Sequence, residues 1–331
     1  MKIIKKLMQI TLAVFFFGLL ATSIVLADDA DSEGWQFVQE NGRTYYKKGE
    51  IKEKAWRVID GKTYYFDPLS GEMVVGWQYI PAPHKGVTIG SSLRQDVAFR
   101  PDWFYFGQDG VLQEFVGKQV LEAKTATNTN KHHGEQYDSP AEKRVYYFED
   151  QRSYHTLKTG WVHDEGHWYY LQKDGGFDAR INSLTVGELV RGWTNDNSTW
   201  YYLDPTTATM QTGWQHLGNK WYYLRSSGAM ATGWYQEGST WYYLDEPNGD
   251  MKTGWQNLGN KWYYLRSSGA MATGWYQEGS TWYYLNAGNG DMKTGWFQVN
   301  GKWYYAYSSG ALAVNTTVDG YSVNYNGEWV Q

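Results

Sequence analysis

The sequence predicts an all-β fold, a superhelical solenoid of stacked β-hairpins with loop insertions in its N-terminal half. A 41-residue sequence occurs twice in tandem, at 213–253 and 254–294, with differences at four positions. Each copy divides into two halves that open with Gly-Trp and continue to Trp-Tyr-Tyr-Leu. The opening tryptophans from Trp193 to Trp296 follow one another at steps of 20 or 21 residues. Such a period is typical of a repeat array, in which each unit buries its apolar face against its neighbours.

Each repeat is predicted to be one β-hairpin. Residues 255–258 and 261–265 have the length of short strands. The Gly259-Asn260 pair between them is typical of a two-residue turn, which requires positive φ. An isolated hairpin is marginal in water, but stacked hairpins bury large aromatic side chains at roughly 150–250 Å² each. Stacking is therefore expected to stabilise the array.

Alternation along the second strand divides its aromatic residues between two faces. Trp262 and Tyr264 share one face, whereas Tyr263 and Leu265 share the other. One face is therefore expected to line a groove between units while the other builds the stack. We expect the tryptophans to recognise a ligand, and Tyr263 and its equivalents to serve packing.

The chain starts with a predicted secretory signal peptide, residues 1–27. Lysines precede an apolar run, Ile10–Leu20, and a small-residue cleavage pattern ends at Ala27. The run is shorter than the about 20 apolar residues that a membrane-spanning helix needs. We therefore expect a secreted protein that is held non-covalently at the cell wall or cell surface.

Charge and composition exclude several classes of function. Removal of the signal peptide takes the formal net charge from −5 to about −8, which does not suit nucleic acid or anionic lipid. The chain has no cysteine, so it has no disulfide framework and no thiolate chemistry. It contains 19 Trp and 29 Tyr, an aromatic content that exceeds what a small core needs. This excess indicates recognition by aromatic rings as well as packing.

The repeats divide the mature chain into two predicted domains. Residues 28–192 hold divergent repeats, because Thr44 and Thr63 replace the first tryptophan of Trp-Tyr-Tyr and Lys118 replaces that of Gly-Trp. Residues 193–331 hold the regular repeats and a C-terminal cap, which arrays need to cover their open end. The inserted loops of the divergent domain are 78–102, 125–143 and 175–191.

The aromatic residues of the regular repeats suit a cation that cannot donate a hydrogen bond. Pockets of Trp, Tyr and Met with few charges hold a quaternary ammonium through ring faces and methyl contacts, at roughly 0.5–2 kcal/mol per ring. A primary amine would leave its donors unpaired in such a pocket. A quaternary ammonium is therefore the predicted ligand.

These motifs resemble the choline-binding repeats of Gram-positive cell-surface proteins. Gly-Trp, then Trp-Tyr-Tyr, then Gly-x-Met recur through the regular repeats, and the resemblance covers residues 34–331. The chain is similar to the members that consist of repeats with no appended enzyme. The resemblance implies choline between successive hairpins, where two aromatic residues of one repeat meet a third from the next, with a methionine nearby.

On this resemblance, one cage would combine Trp255 and Trp262 with Tyr284 and Met271. The predicted choline-binding residues are Trp193, Trp200, Trp214, Trp221, Tyr223, Met230, Trp234, Trp241, Tyr243, Met251, Trp255, Trp262, Tyr264, Met271, Trp275, Trp282, Tyr284, Met292 and Tyr305. The ligand would be choline or phosphocholine, with no cofactor. Because the first half departs from the repeat motif, we expect no ordinary site there.

Neither catalysis nor metal binding is expected. The acidic residues lie mostly in turns rather than as a carboxylate pair held at a defined separation. His132-His133 falls in a polar loop. His163 and His167 flank the predicted turn at Glu165-Gly166, with no evident third ligand. We therefore expect no enzyme activity and no metal site.

Two classes of function fit this reading. The first is a non-catalytic surface protein, anchored by multivalent binding of choline on cell-wall teichoic acids, that modulates choline-dependent wall hydrolases (autolysins). A variant of this class is an adhesin or immune-evasion protein whose N-terminal half binds host molecules. The second class is a glucan-binding module. Sugars need carboxylates and amides beside the stacking rings, whereas these pockets offer Trp, Tyr and Met, which favours choline.

Overall fold

The chain forms two compact units in the computed structural model, each built from β-strands. The structure describes residues 34–82, 101–135, 142–151, 154–173 and 183–331. The first unit is Met1–Gly160 with Leu171–Glu188, and the second is Trp161–Tyr170 with Leu189–Gln331. The predicted signal peptide and most of the insertion at 78–102 lie outside the described residues. Within the described ranges, no helix has the length and apolar character needed to cross a bilayer.

Two-stranded antiparallel hairpins follow one another along the repeats, and a three-stranded sheet ends the chain. The strands are β12 Gly160–Asp164, β13 His167–Leu171, β14 Gly192–Asp196, β15 Thr199–Leu203, β16 Gly213–Leu217, β17 Lys220–Leu224, β18 Gly233–Glu237, β19 Thr240–Leu244, β20 Gly254–Leu258, β21 Lys261–Leu265, β22 Gly274–Glu278, β23 Thr281–Leu285, β24 Gly295–Val299, β25 Lys302–Ala306, β26 Thr316–Val318, β27 Tyr321–Val323 and β28 Trp329–Val330. The predicted all-β fold of stacked hairpins is confirmed.

The turn of each hairpin follows from its sequence. Gly259 and Asn260 have φ of 59° and 62°, the left-handed region that glycine and asparagine tolerate best. The turn sets the register that places Trp255 opposite Tyr264 on adjacent strands. Both rings therefore lie on one face of the hairpin, as the alternation predicts.

Backbone hydrogen bonds join successive hairpins. The amide of Met292, which follows β23, donates to the carbonyl of Trp262 in β21 at 2.8 Å. The amide of Met271, which follows β21, makes the same bond to Trp241 in β19. The leucine that ends the second strand of each hairpin from β13 to β23, such as Leu265, is fully buried. These contacts stack the hairpins with one face of each turned to the opposite face of the next.

The first unit adds a third strand to three of its hairpins. Its strands are β1 Gln36–Glu40, β2 Arg43–Lys48, β3 Ile51–Lys52, β4 Ala55–Ile59, β5 Lys62–Phe66, β6 Val74–Pro81, β7 Pro101–Phe106, β8 Gly117–Glu122, β9 Lys131–His132, β10 Lys143–Gln151 and β11 Tyr154–Leu157, with a 3-10 turn at Ser183–Thr185. The three-stranded sheets have the orders β1-β2-β3, β7-β6-β9 and β11-β10-β8, and β4-β5 is a two-stranded sheet. Trp56, Trp77, Phe104 and Phe106 are buried in it. This unit therefore has an aromatic core, in contrast to the open rings of the repeats.

Candidate ligand-binding cages

One cavity of the second unit has walls of aromatic rings. Trp234 of β18 and Trp241 of β19 form two walls, and Tyr263 of β21, on the next hairpin, forms the third. Met271 closes one side, and the volume is about 260 Å³. A Cβ at Gly290 would collide with the sulfur of Met271, so glycine at that position is what gives the methionine room.

The rings stand edge-to-face around the space that they enclose. The centroid of Trp234 lies 6.3 Å from that of Trp241 at 85°, and 4.9 Å from that of Tyr263 at 67°. Trp241 is 37% exposed, so the cavity opens to solvent. Perpendicular rings turn several π-faces toward one point, an arrangement that attracts a cation.

The same group recurs along the second unit. The sets are Trp161, Trp168, Tyr201 and Met210; Trp193, Trp200, Tyr222 and Met230; Trp214, Trp221, Tyr242 and Met251; Trp234, Trp241, Tyr263 and Met271; Trp255, Trp262, Tyr283 and Met292; and Trp275, Trp282, Tyr304 and Leu312. In every set the opening tryptophan lies 4.7–5.0 Å from the tyrosine of the next hairpin, at 61–68°. We call these sets the open cages.

The structure groups two of the predicted partners differently. Tyr283, rather than Tyr284, lies against Trp255, with centroids 4.8 Å apart. Met271 belongs with Trp234, and Met292 takes the equivalent place beside Trp262. The reason is the stacking of unlike faces: the tryptophan face of one hairpin meets the opposite face of the next. Tyr263 and its equivalents, which we expected to serve packing, are therefore the third walls of the cages.

The other tyrosine of each Trp-Tyr-Tyr packs against the opening tryptophan of the cage. The predicted residues Tyr223, Tyr243, Tyr264, Tyr284 and Tyr305 lie against the opening tryptophan of their own hairpins, with centroids 5.0–5.2 Å apart. Tyr264 also stacks on Tyr276 of the next hairpin at 3.9 Å, and Tyr223 on Tyr235 in the same way. These rings hold the tryptophan that forms the wall.

Two groups of rings were missed by the sequence analysis. The set that begins at Trp161 lies within the segment assigned to the divergent repeats, although Gly160-Trp161 and Trp168-Tyr169-Tyr170 carry the motif. At the end of the chain, four aromatic residues enclose about 290 Å³. They are Trp296, Trp303, Tyr321 and Trp329. Tyr321 and Trp329 stand outside any repeat, so no spacing could have assigned them.

Carboxylates lie beside alternate cages. Glu278 accepts a hydrogen bond from the indole Nε1 of Trp255 at 3.1 Å, and Glu237 accepts one from Trp214 at the same distance. The equivalent position of the intervening hairpins is Leu217, Leu258 or Val299. A negative charge at the edge of an electron-rich cage adds to its attraction for a cation. Alternate cages therefore differ in charge.

A group of ionisable side chains in the first unit resembles a metal site in composition. Ligand atoms of Glu72, His132 and Glu135 lie within 4.8 Å of one another. Arg43 forms ion pairs with both carboxylates, and Lys131 lies 3.3 Å from Glu135. These cations already balance the acids, so we interpret the group as an ion-pair cluster.

A stack of hairpins with aromatic cages between them defines a protein built of choline-binding repeats. The family described as choline-binding repeat matches residues 211–253 and 252–297. The family described as putative cell wall binding repeat matches 159–177, 192–206 and 294–312.

Solved structures of similar proteins agree with this class. CbpJ from Streptococcus pneumoniae TIGR4 is 71% identical over 90% of this chain and 100% of its own, with a TM-score of 0.80. Choline-binding protein F from S. pneumoniae is 61% identical over 90% of this chain and 99% of its own, with a TM-score of 0.82. The structure of CbpF in complex with ipratropium is 60% identical, over the same shares of the two chains, with a TM-score of 0.81. No curated protein sequence matches. The chain belongs to the choline-binding repeat family.

Proposed function

We propose that the protein attaches to the cell wall through choline groups of teichoic acids, held in the open cages. The observation that carries this proposal is the row of half-exposed tryptophans on successive second strands. Trp168, Trp200, Trp221, Trp241, Trp262 and Trp282 are 37–46% exposed. Tryptophan is usually much more buried, and a repeated exposed set marks an interaction surface.

Attachment is multivalent. Each open cage is a weak site for a quaternary ammonium, because few rings contribute and each is partly solvated. Cages on one chain share an effective concentration toward a polymer that carries many choline groups. A trimethylammonium group fits the rings and the methionine without needing a hydrogen-bond partner. The complex of the relative CbpF with ipratropium, whose charge is also a quaternary ammonium, supports this ligand class.

The experiment is release of the full-length protein from choline-bearing cell walls. Millimolar free choline is expected to release it, and equal ionic strength from sodium chloride is not. Trp221→Ala, Trp241→Ala and Trp262→Ala combined are expected to lower retention, whereas Tyr325→Ala, at a 74% exposed residue outside the cages, is not. Retention that persists in excess choline, or release by soluble glucan instead, would refute the proposal.

We further propose that the bound protein is exported, non-catalytic and restrains choline-dependent wall hydrolases by occupying the choline groups that they need. The support is that the described residues form hairpins and their linkers, and that CbpJ and CbpF match over nearly their whole lengths. Restraint by occupancy grows with the amount bound and disappears in the combined tryptophan variant.

Lysis of walls by a choline-dependent hydrolase measures this restraint. Added full-length protein is expected to slow lysis, and the combined tryptophan variant is not. If the two proteins have the same effect on lysis, occupancy is not the mechanism. In that outcome the adhesin or immune-evasion function of the first unit becomes the better hypothesis, and binding to host molecules is its test.

A further inference from the structure

The first unit contains an aromatic pocket that is already filled. The ammonium nitrogen of Lys124 lies 4.6 Å from the ring centroid of Trp77, 5.3 Å from that of Trp103 and 4.2 Å from that of Tyr146. Distances within about 6 Å of a ring face are those of cation–π contacts. A lysine side chain therefore makes three such contacts at one point.

The three rings have the plan of an open cage. Trp77 follows Gly76 on β6, Trp103 starts its aromatic run on β7, and Tyr146 lies on β10. Trp77 lies 6.2 Å from Trp103 at 86°, against 6.3 Å and 85° for Trp234 and Trp241.

The third ring, Tyr146, also has the geometry of its counterpart in the open cages. Trp77 lies 4.8 Å from Tyr146 at 60°, against 4.8 Å and 61° for Trp255 and Tyr283. Leu157 pairs with Phe148 as Met271 pairs with Leu265, so a leucine takes the place of the methionine.

The pocket differs from the open cages in its closure. Trp77 is 1% exposed, Trp103 is 2% exposed and Lys124 is 4% exposed. The ammonium donates to the carbonyl oxygen of Val186 at 2.8 Å. A primary amine in a purely aromatic pocket would leave its N–H donors unpaired. Here one N–H donates to this carbonyl and the others face the rings.

We propose that the pocket of Trp77, Trp103 and Tyr146 is a cation cage whose permanent occupant is the side chain of Lys124, and that it is a latent site for a small quaternary ammonium. The occupant comes from the segment after β8, so the chain closes this cage with its own side chain. The inference concerns the first unit and does not rest on wall attachment by the second.

Two opposing effects act on the charge of Lys124. Burial lowers the pKa of the Lys124 ammonium to about 7, and the charge of Glu188 opposes this shift. Glu188 accepts hydrogen bonds from Tyr146 at 3.3 Å and from Arg144 at 3.1 Å. Burial, with Glu188 nearby, also raises the pKa of Tyr146, so that its ring stays neutral. Below pH 7 the cage therefore holds a protonated lysine among neutral rings.

Substitution of the occupant tests the inference in the full-length protein. Lys124→Ala removes the side chain beyond Cβ and leaves room for a group about the size of tetramethylammonium. At pH 6 this variant is expected to bind one more choline per chain than the wild type in equilibrium dialysis. Tetramethylammonium is expected to raise the melting temperature of the variant by several degrees more than that of the wild type. Lys143→Ala, at an exposed lysine of the same unit, is the matched control and gains neither effect.

A second variant separates the occupied space from the charge. Lys124→Met fills the cage with an apolar chain and is expected to bind the same number of cholines as the wild type. If Lys124→Ala fails to fold in buffer, refolding with tetramethylammonium chloride is expected to rescue it where sodium chloride does not. The inference is overturned if Lys124→Ala gains no choline and no stabilisation by tetramethylammonium, whether folded at the start or refolded with the salt. It is also overturned if Lys124→Met gains the extra site.

Discussion

Trp103 and Trp262 hold the same place in the repeat, yet one is 2% and the other 42% exposed. Each stands beside an opening tryptophan and a tyrosine of the next hairpin. The ammonium of Lys124 occupies the space between the rings of Trp103 and its neighbours. The equivalent space beside Trp241, one hairpin before Trp262, is an open cavity of about 260 Å³. Hairpin stacking therefore fixes the geometry of the cage, and the linking segments decide whether the cage receives a ligand from solution.

The occupant also changes what the rings contribute to folding. A tryptophan that is fully buried adds its whole apolar area to the core, whereas a half-exposed one adds much less. The closed cage is therefore a stabilising element of the first unit. The open cages leave apolar area exposed, and a ligand that covers it stabilises the folded state by mass action.

The largest expected difference is in stability. Trp103→Ala is expected to lower the free energy of unfolding of the first unit by about 3–5 kcal/mol, because it leaves a cavity and an uncovered ammonium. Trp262→Ala is expected to cost about 1 kcal/mol, because its ring is already partly in water. Urea unfolding followed by near-ultraviolet circular dichroism measures both. Equal costs would contradict the distinction between closed and open cages.

The pH dependence of stability comes next, because its effect per pH unit is smaller. The pKa of Lys124 is about 7 in the folded chain, below its ordinary value of 10.5, so between these values the unfolded chain holds a proton that the folded chain lacks. Stability of the first unit is then expected to rise with pH by up to about 1.4 kcal/mol per unit, from neutral pH toward pH 10.

Lys124→Met is the control for this dependence, because the other groups near the cage, Tyr146, Glu188 and Arg144, remain in the variant. Its unfolding free energy is expected to lack the rise that the wild type shows over the same range. Parallel pH profiles of the two proteins would show that Lys124 is charged in the folded state throughout.

Loss of one third wall should remove one site. Tyr263→Leu is expected to abolish choline binding at the Trp234 cage while the other cages keep theirs, since only that cage loses a ring. A cation–π contact contributes up to about 2 kcal/mol, which raises the dissociation constant of a millimolar site about 30-fold, beyond the range of the titration. Isothermal titration should show one choline fewer per chain. If the number of cholines bound per chain is unchanged, Tyr263 serves packing, as expected from the sequence.

The smallest effect concerns the carboxylates beside alternate cages. Glu278→Gln keeps an acceptor for the indole of Trp255 but removes a charge that is exposed to solvent, so about a twofold loss of choline affinity is expected at that cage. The loss should shrink in high salt, because salt screens exposed charges. Glu246→Gln, at an exposed acid in a linker, serves as the control. A loss that is independent of salt would contradict an electrostatic origin.

The regular repeats could be predicted because their period is strict. Gly259-Asn260 gave the turn, and the alternation around Trp262 gave the two faces. The identity of the third wall could not be obtained from one hairpin alone, because Tyr263 and Tyr264 differ only in which neighbour they face. That choice depends on how hairpins stack, which is a contact between units.

The departures from the repeat motif in the first half indicated only in part which cages are lost. Thr63 stands in place of a cage tryptophan, and its partner Trp56 is buried against Phe104, with centroids 5.0 Å apart. The occupied cage could not be foreseen, because Lys124 comes from a segment with no place in the repeat. Its contacts with Trp77 and Tyr146 join parts of the chain that lie far apart in sequence.

A crystal structure of the full-length protein grown in saturating choline would distinguish the open cages from the cage that Lys124 occupies. We predict density for a trimethylammonium group between Trp255, Trp262 and Tyr283, with equivalent density in the other open cages. Between Trp77 and Trp103 the density should show the side chain of Lys124. Choline beside Trp77 with Lys124 displaced, or open cages that stay empty at saturation, would contradict the account.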